Sequence, residues 1–112
     1  MKLLEYGVVP NQNHSVATGT ADTELTLTIA ASADEFWVLD SFCFSCDAAP
    51  DAGTLITITI GATVVWKHVI VQGGPGPVDL GGLTRGVKNE AITIVADAAG
   101  AGKTVYLSAK YR

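Results

Sequence analysis

The sequence predicts an all-β domain, an antiparallel β-sandwich of seven or eight strands, on three observations. From Thr23 onward, short runs rich in threonine, valine, isoleucine and aromatic residues follow one another. Clusters of Gly, Pro, Asp and Ala separate them at the spacing of antiparallel strands, and no segment carries the apolar period of a helix.

Residues 23–30 set Leu25, Leu27 and Ile29 against Glu24, Thr26 and Thr28, the alternation of a strand with one buried face. Residues 35–45 are apolar on both faces, with Phe36, Val38, Phe42 and Phe44 on one and Trp37, Leu39 and Cys43 on the other. That predicts a central strand, or one covered on both sides. Residues 48–53 carry turn chemistry, since proline presets φ and glycine accepts positive φ. A hairpin follows, in which Gly61 and Ala62 join residues 54–60 to residues 63–71, with glycine first as a type II′ turn requires. Its simplest register sets Thr59 opposite Val64, Thr57 opposite Trp66 and Leu55 opposite His68, leaving Ile56, Ile58, Ile60 and Val65 as the core face. Lys67 then points inward, which calls for a bulge or for a side chain that snorkels out at the rim.

Residues 72–82 include Gly73, Gly74, Pro75, Gly76 and Pro77, too many breakers for a strand interior, and predict an ordered loop with a short strand near residues 77–80. Residues 90–96 and 103–111 predict a closing hairpin around residues 97–102, with Ile92, Ile94 and Ala96 sharing a face with Val105, Leu107, Ala109 and Tyr111. Residues 1–22 stand apart from the single domain of residues 23–112. Within them residues 3–9 fit an edge strand, and the polar stretch 10–22 reads as an arm or a long loop.

A chain of 112 residues builds one core. Hydrophobic residues make up 48% and charged residues 16%, which excludes disorder and leaves a surface poor in the charges that keep monomers apart. Such a surface suits a protein covered in use by its own copies or by a host assembly. The formal charge is −4 and the seven basic residues are scattered, so a nucleic-acid partner is not expected. No stretch approaches the roughly 20 apolar residues of a bilayer crossing, and Glu5 interrupts the start before a signal-peptide apolar region develops. Neither a membrane nor secretion is expected, and two cysteines fit a reducing cytosol.

Cys43 and Cys46 have the spacing of zinc and redox CxxC sites. A zinc would need His14 and His68 to complete four ligands, and a redox pair belongs at a helix N-terminus. On a regular strand, residues three apart point to opposite faces, so the expectation is two small buried hydrophobes and no metal. Residues 100–104 echo the end of a phosphate-binding loop, but its first glycine is replaced by Asp97 and Thr104 opens a strand, so a hairpin turn is expected. His14, His68, Asp40, Asp47, Asp51 and Asp79 could supply acid–base chemistry, yet no pattern ties them together, and no enzyme activity or cofactor is expected. Trp66, on the face with Thr57, Thr59 and Val64, is either a binding anchor or a residue covered by a second sheet or by the N-terminal arm.

Several segments together resemble small virion proteins of tailed bacteriophages and prophages, of the capsid decoration or cement type. They are the Gly53-Thr54-Leu55 opening of a Thr/Ile hairpin, Val64-Val65-Trp66-Lys67 and the Gly-Pro-Gly-Pro loop, then Leu83-Thr84-Arg85-Gly86 with Asn89-Glu90-Ala91, the small-residue turn at residues 98–102 and the Tyr111-Arg112 end. The resemblance implies a jelly-roll sandwich, made in the host cytoplasm, that sits on the capsid surface. It would bind between major capsid proteins or other virion proteins as a homo-oligomer, with a trimer favoured. Trp66, Thr57, Thr59, Val9, Pro10, Pro75 and Pro77 are the residues expected to touch the partner. A tail or head-fibre component would share these features. A carbohydrate-binding β-sandwich is the rival, with Trp37 and Trp66 as stacking platforms.

Overall fold

The computed structural model describes residues 13–34, 36–71 and 76–112, with the backbone alone at Asp79 and residues 81–85. Eight strands follow in order: β1 (Asn13–Thr18), β2 (Leu25–Ile29), β3 (Val38–Cys46), β4 (Thr54–Ile60), β5 (Thr63–Ile70), β6 (Gly76–Arg85), β7 (Ile92–Ala96) and β8 (Val105–Tyr111). They form two four-stranded antiparallel sheets, sheet A in the order β1-β8-β3-β6 and sheet B in the order β2-β7-β4-β5. The expected β-sandwich is therefore present. The first strand pairs with the eighth, the second with the seventh, the third with the sixth and the fourth with the fifth. That scheme results when one long hairpin is rolled up so that its strands alternate between two sheets.

The alternation read in the sequence works as expected in β2 and β4. Leu25, Leu27 and Ile29, and Ile56, Ile58 and Ile60, face inward and are buried. From the other sheet Leu39, Phe42, Phe44 and Leu107 close the core. The turn between β4 and β5 sits on Gly61 at φ 59, the positive value that the first position of a type II′ turn needs.

Two bulges correct the expected faces. In β3 the register slips between Leu39 and Ser41. Leu39 consequently joins Phe42 and Phe44 in the core, while Val38 is only half-buried. The extra residue, Asp40, has both carboxylate oxygens 3.1 Å from Arg112 Nε, whose single N–H they share. In the β4–β5 hairpin the slip lies between Ile58 and Thr59: Thr59 faces Val64 as expected, but Ile58 faces Trp66, Thr57 faces Lys67 and Ile56 faces His68. Val65 is the supernumerary residue. Burying an unpaired ammonium costs far more than one disrupted ladder step, and the bulge moves Lys67 to the outer face.

Three further expectations are corrected. β7 and β8 do not form a hairpin, because they lie in different sheets and residues 97–102 cross the roughly 10 Å between them. The crossing is held where Asp51 N donates to Ala99 O at 3.0 Å and where Lys103 pairs with Asp51. Gly100 is obligatory there, since its φ is 121 and a Cβ would run into the Asp51 carboxylate. The loop expected up to residue 82 gives way to a ten-residue strand, β6. It tolerates Pro77 because, among the described residues, it is an edge strand with one unpaired side. Finally, the stretch 10–22 contains β1, all six residues of which pair with β8. The edge strand thus lies at Asn13–Thr18; residues 3–9, read as one, fall outside the described residues.

Thr54 opens β4 fully buried, and its hydroxyl has no hydrogen-bond partner among the described residues. An unsatisfied buried hydroxyl carries a desolvation cost of about 1–3 kcal/mol, and valine has nearly the same shape. Thr54→Val is expected to raise stability by about 1 kcal/mol, read as a higher midpoint in urea unfolding with an unchanged slope.

Candidate functional site

The outer face of sheet B is built from residues that alternate with its core. Thr59 lies between Thr93 and Val64, Thr57 between Val95 and Lys67, and Leu55 pairs with Val69. β2 adds Thr26 and Thr28. Lys67 is the one charged side chain among these positions, so the face is a flat field of methyl and hydroxyl groups. β5 closes the sheet and, among the described residues, pairs on one side only, leaving its far row of amides and carbonyls without a strand partner there. Val64, Val65 and Val69 along it, and Val71 just past its end, are 52%, 45%, 58% and 65% exposed. They are half of the well-exposed large apolar side chains among the described residues.

The other sheet edges are blunted in the usual ways. β6 carries Pro77, β2 is only five residues long, and β1 presents His14 and Ser15. Among the described residues, β5 has only Lys67 and its bulge to discourage pairing.

Of the residues expected at a partner surface, Thr57 and Thr59 lie on this outer face, half-buried. Trp66 does not join them. The bulge turns it inward, where its ring meets Phe42 edge-on at 5.3 Å and lies 4.6 Å from the His68 ring. Pro77 is exposed on β6, at the far side of the molecule's other sheet. Val9, Pro10 and Pro75 fall outside the described residues. Trp37 is likewise not an open platform: its ring meets Tyr111 edge-on at 5.4 Å and its Nε1 donates to Ala30 O at 3.1 Å.

The outer face of sheet A carries a depression of about 360 Å³ that the sequence did not announce. Two cross-strand rows form it. One runs Val16, Ser108, Cys43, Pro77, and the other His14, Lys110, Ser41. Serine and cysteine in the two middle strands make a low floor, and the longer side chains of β1, β8 and Pro77 stand around it. Two residues along β8, Tyr106 is exposed on the same face. Its hydroxyl donates to the Asp47 carboxylate, whose charge beside it further holds the phenol pKa above the ordinary value of 10.0.

The groups that could have formed a catalytic or metal centre are spread apart. Asp40 is taken by Arg112, Asp51 by Lys103 and Asp47 by Tyr106. Cys43 sits on the outer floor while Cys46 packs against the core, and both are free thiols. Among the described residues no three His, Cys, Asp or Glu side chains gather to hold a metal ion. No helix of the described residues is long and apolar enough to cross a membrane.

No protein-family description matches the chain, and no curated protein matches it. Among solved structures, a ruminal GH26 endo-β-1,4-mannanase is similar over part of its length, with 12% identity and a TM-score of 0.41. The match covers 80% of this chain and 18% of that one, and at that TM-score it supports no conclusion about function.

Proposed function

We propose that the chain is a structural virion protein, a capsid decoration subunit of a tailed phage that stabilises the head by burying surface between major capsid proteins. The observation that carries this reading is the row of exposed valines on the singly paired strand β5, continuous with the Thr/Val face of sheet B. An apolar edge of this kind is a template for strand addition or close packing by another protein chain. The first-with-eighth pairing of the strands in a two-sheet sandwich supports the jelly-roll type that the resemblance implies. Copies of the chain and the capsid protein are the partners, with a trimer as the assembled form, and the mechanism needs no cofactor and no catalytic step. A component of a tail or head fibre would use the same edge.

The test is the composition of particles released on induction of the source phage or prophage. Purified full heads are expected to contain the chain in fixed proportion to the major capsid protein, and heads made without it are expected to lose their genomes at lower temperature. Heads that lack the chain, or that withstand heat equally without it, overturn the assignment.

A further inference from the structure

The depression on sheet A is a second surface, opposite the valine edge, and its chemistry differs. Its floor of Ser41, Cys43 and Ser108 offers small polar groups, and Val16 and Pro77 flank it with apolar surface. His14 and Lys110 face each other in register along one side. In a chain of net charge −4 this is an unusual place for a free cation. Arg112 and Lys103 are neutralised by Asp40 and Asp51, whereas Lys110 has no carboxylate partner among the described residues. Asp79 holds the β6 register position opposite Ser41, two strands from Lys110 and thus about 10 Å along the row.

We propose that this depression binds an extended acidic segment of a partner protein, with its carboxylate against Lys110 and His14 and its main chain over the serine and cysteine floor. The inference rests on the reading of the chain as a protein-docking module. Four strands span about 14 Å from first to last, the length of roughly four extended residues, so a short segment laid across the strands fills the site. The flanking valine and proline receive its apolar side chains. A peptide fits better than an acidic glycan because the one phenyl ring among the lining residues, that of Phe42, is buried in the core and offers no open face for a sugar ring to stack on. Lys110 selects the carboxylate, and the serine hydroxyls satisfy the main-chain groups that lose water on docking.

The experiment is a titration of the 15N-labelled full chain with the peptide acetyl-Val-Asp-Val-Glu-Val-amide, followed by amide chemical shifts. Saturable shifts are expected at Ser41, Cys43, Ser108 and Lys110, with dissociation in the millimolar range or tighter. Lys110→Ala is expected to weaken binding about threefold to fivefold, the size of one exposed charge contact, and Lys88→Ala to leave it unchanged. Raising salt from about 50 to about 300 mM is expected to weaken it severalfold. Bound peptide is also expected to slow modification of Cys43 by a thiol reagent, read in a Cys46→Ser background.

Absence of saturation overturns the proposal, as does equal binding of the Asn/Gln counterpart of the peptide. Binding of trigalacturonate in place of the peptide overturns the assignment to a protein partner. Failure here leaves the β5 edge and particle composition as they stand, and loss of the virion assignment leaves this titration unaffected.

Discussion

Phe44→Ala is expected to lower the melting temperature by about 12–20 °C. Phe44 is fully buried in the middle of sheet A, with Leu107 beside it on β8 and Gly76 beside it on β6. Removing a buried phenyl ring costs about 3–5 kcal/mol, the sum of lost transfer energy and the cavity left behind. The upper half of that range applies where neighbours cannot move in, and Gly76 has no side chain with which to do so. A loss of this size takes much of the roughly 5–15 kcal/mol that holds a small domain together. At about 4 °C per kcal/mol for a domain of this length, thermal unfolding followed by circular dichroism reads the effect directly. Val87→Ala, on an exposed side chain, is the control and is expected to shift the midpoint by no more than about 2 °C. Equal midpoints for wild type and Phe44→Ala would mean that the two sheets do not close on this ring.

Val65→Lys together with Val69→Lys is expected to abolish assembly while leaving the fold intact. Both valines are exposed on an edge strand, so the isolated domain is expected to change by less than about 0.5 kcal/mol at each site. In an interface the same substitutions would bury two ammonium groups without partners. At about 3–5 kcal/mol for each uncompensated buried charge, the affinity falls by at least about a thousandfold. Light scattering on a sizing column is expected to give an oligomer for the wild type and a monomer for the double variant, with identical circular dichroism spectra. A double variant that assembles like the wild type removes β5 from the interface. A monomeric wild type removes self-association from the proposed function.

How far the sequence foretold this structure depends on whether a feature is written in neighbouring residues. Leu25, Leu27 and Ile29 declare a one-faced strand, and the Gly61-Ala62 link declares its turn, because both are local facts of alternation and backbone freedom. The bulge at Val65 left a trace in the awkward inward position of Lys67, and the structure resolves it as a bulge and not as a snorkelling side chain. The bulge at Asp40 left none, because Leu39 and Phe42 look equally apolar in either register. β1 was hidden for a different reason. As an edge strand it carries no large buried side chain, so Asn13–Thr18 reads as polar loop until β8 is placed beside it. The separation of β7 from β8 depends on the partners each strand finds far away in sequence. The depression on sheet A is the extreme case, since its small floor residues come from β3 and β8 and acquire meaning only in register.

Because β1 pairs with β8, synthesis delivers β1 long before its partner exists. A ribosome adding about 5–20 residues per second exposes β4 and β5 together, and that local hairpin can close at once, while β1 waits for β8, which is made after all six strands between them. Each successive pair bridges a longer span of chain, so closure proceeds from the centre of the sequence outward and grows slower as it goes. The nascent protein therefore holds β1 open until β8 has been translated. Synonymous codon changes that slow elongation after residue 96 are expected to lengthen that window, and a holding chaperone would find its ligand there.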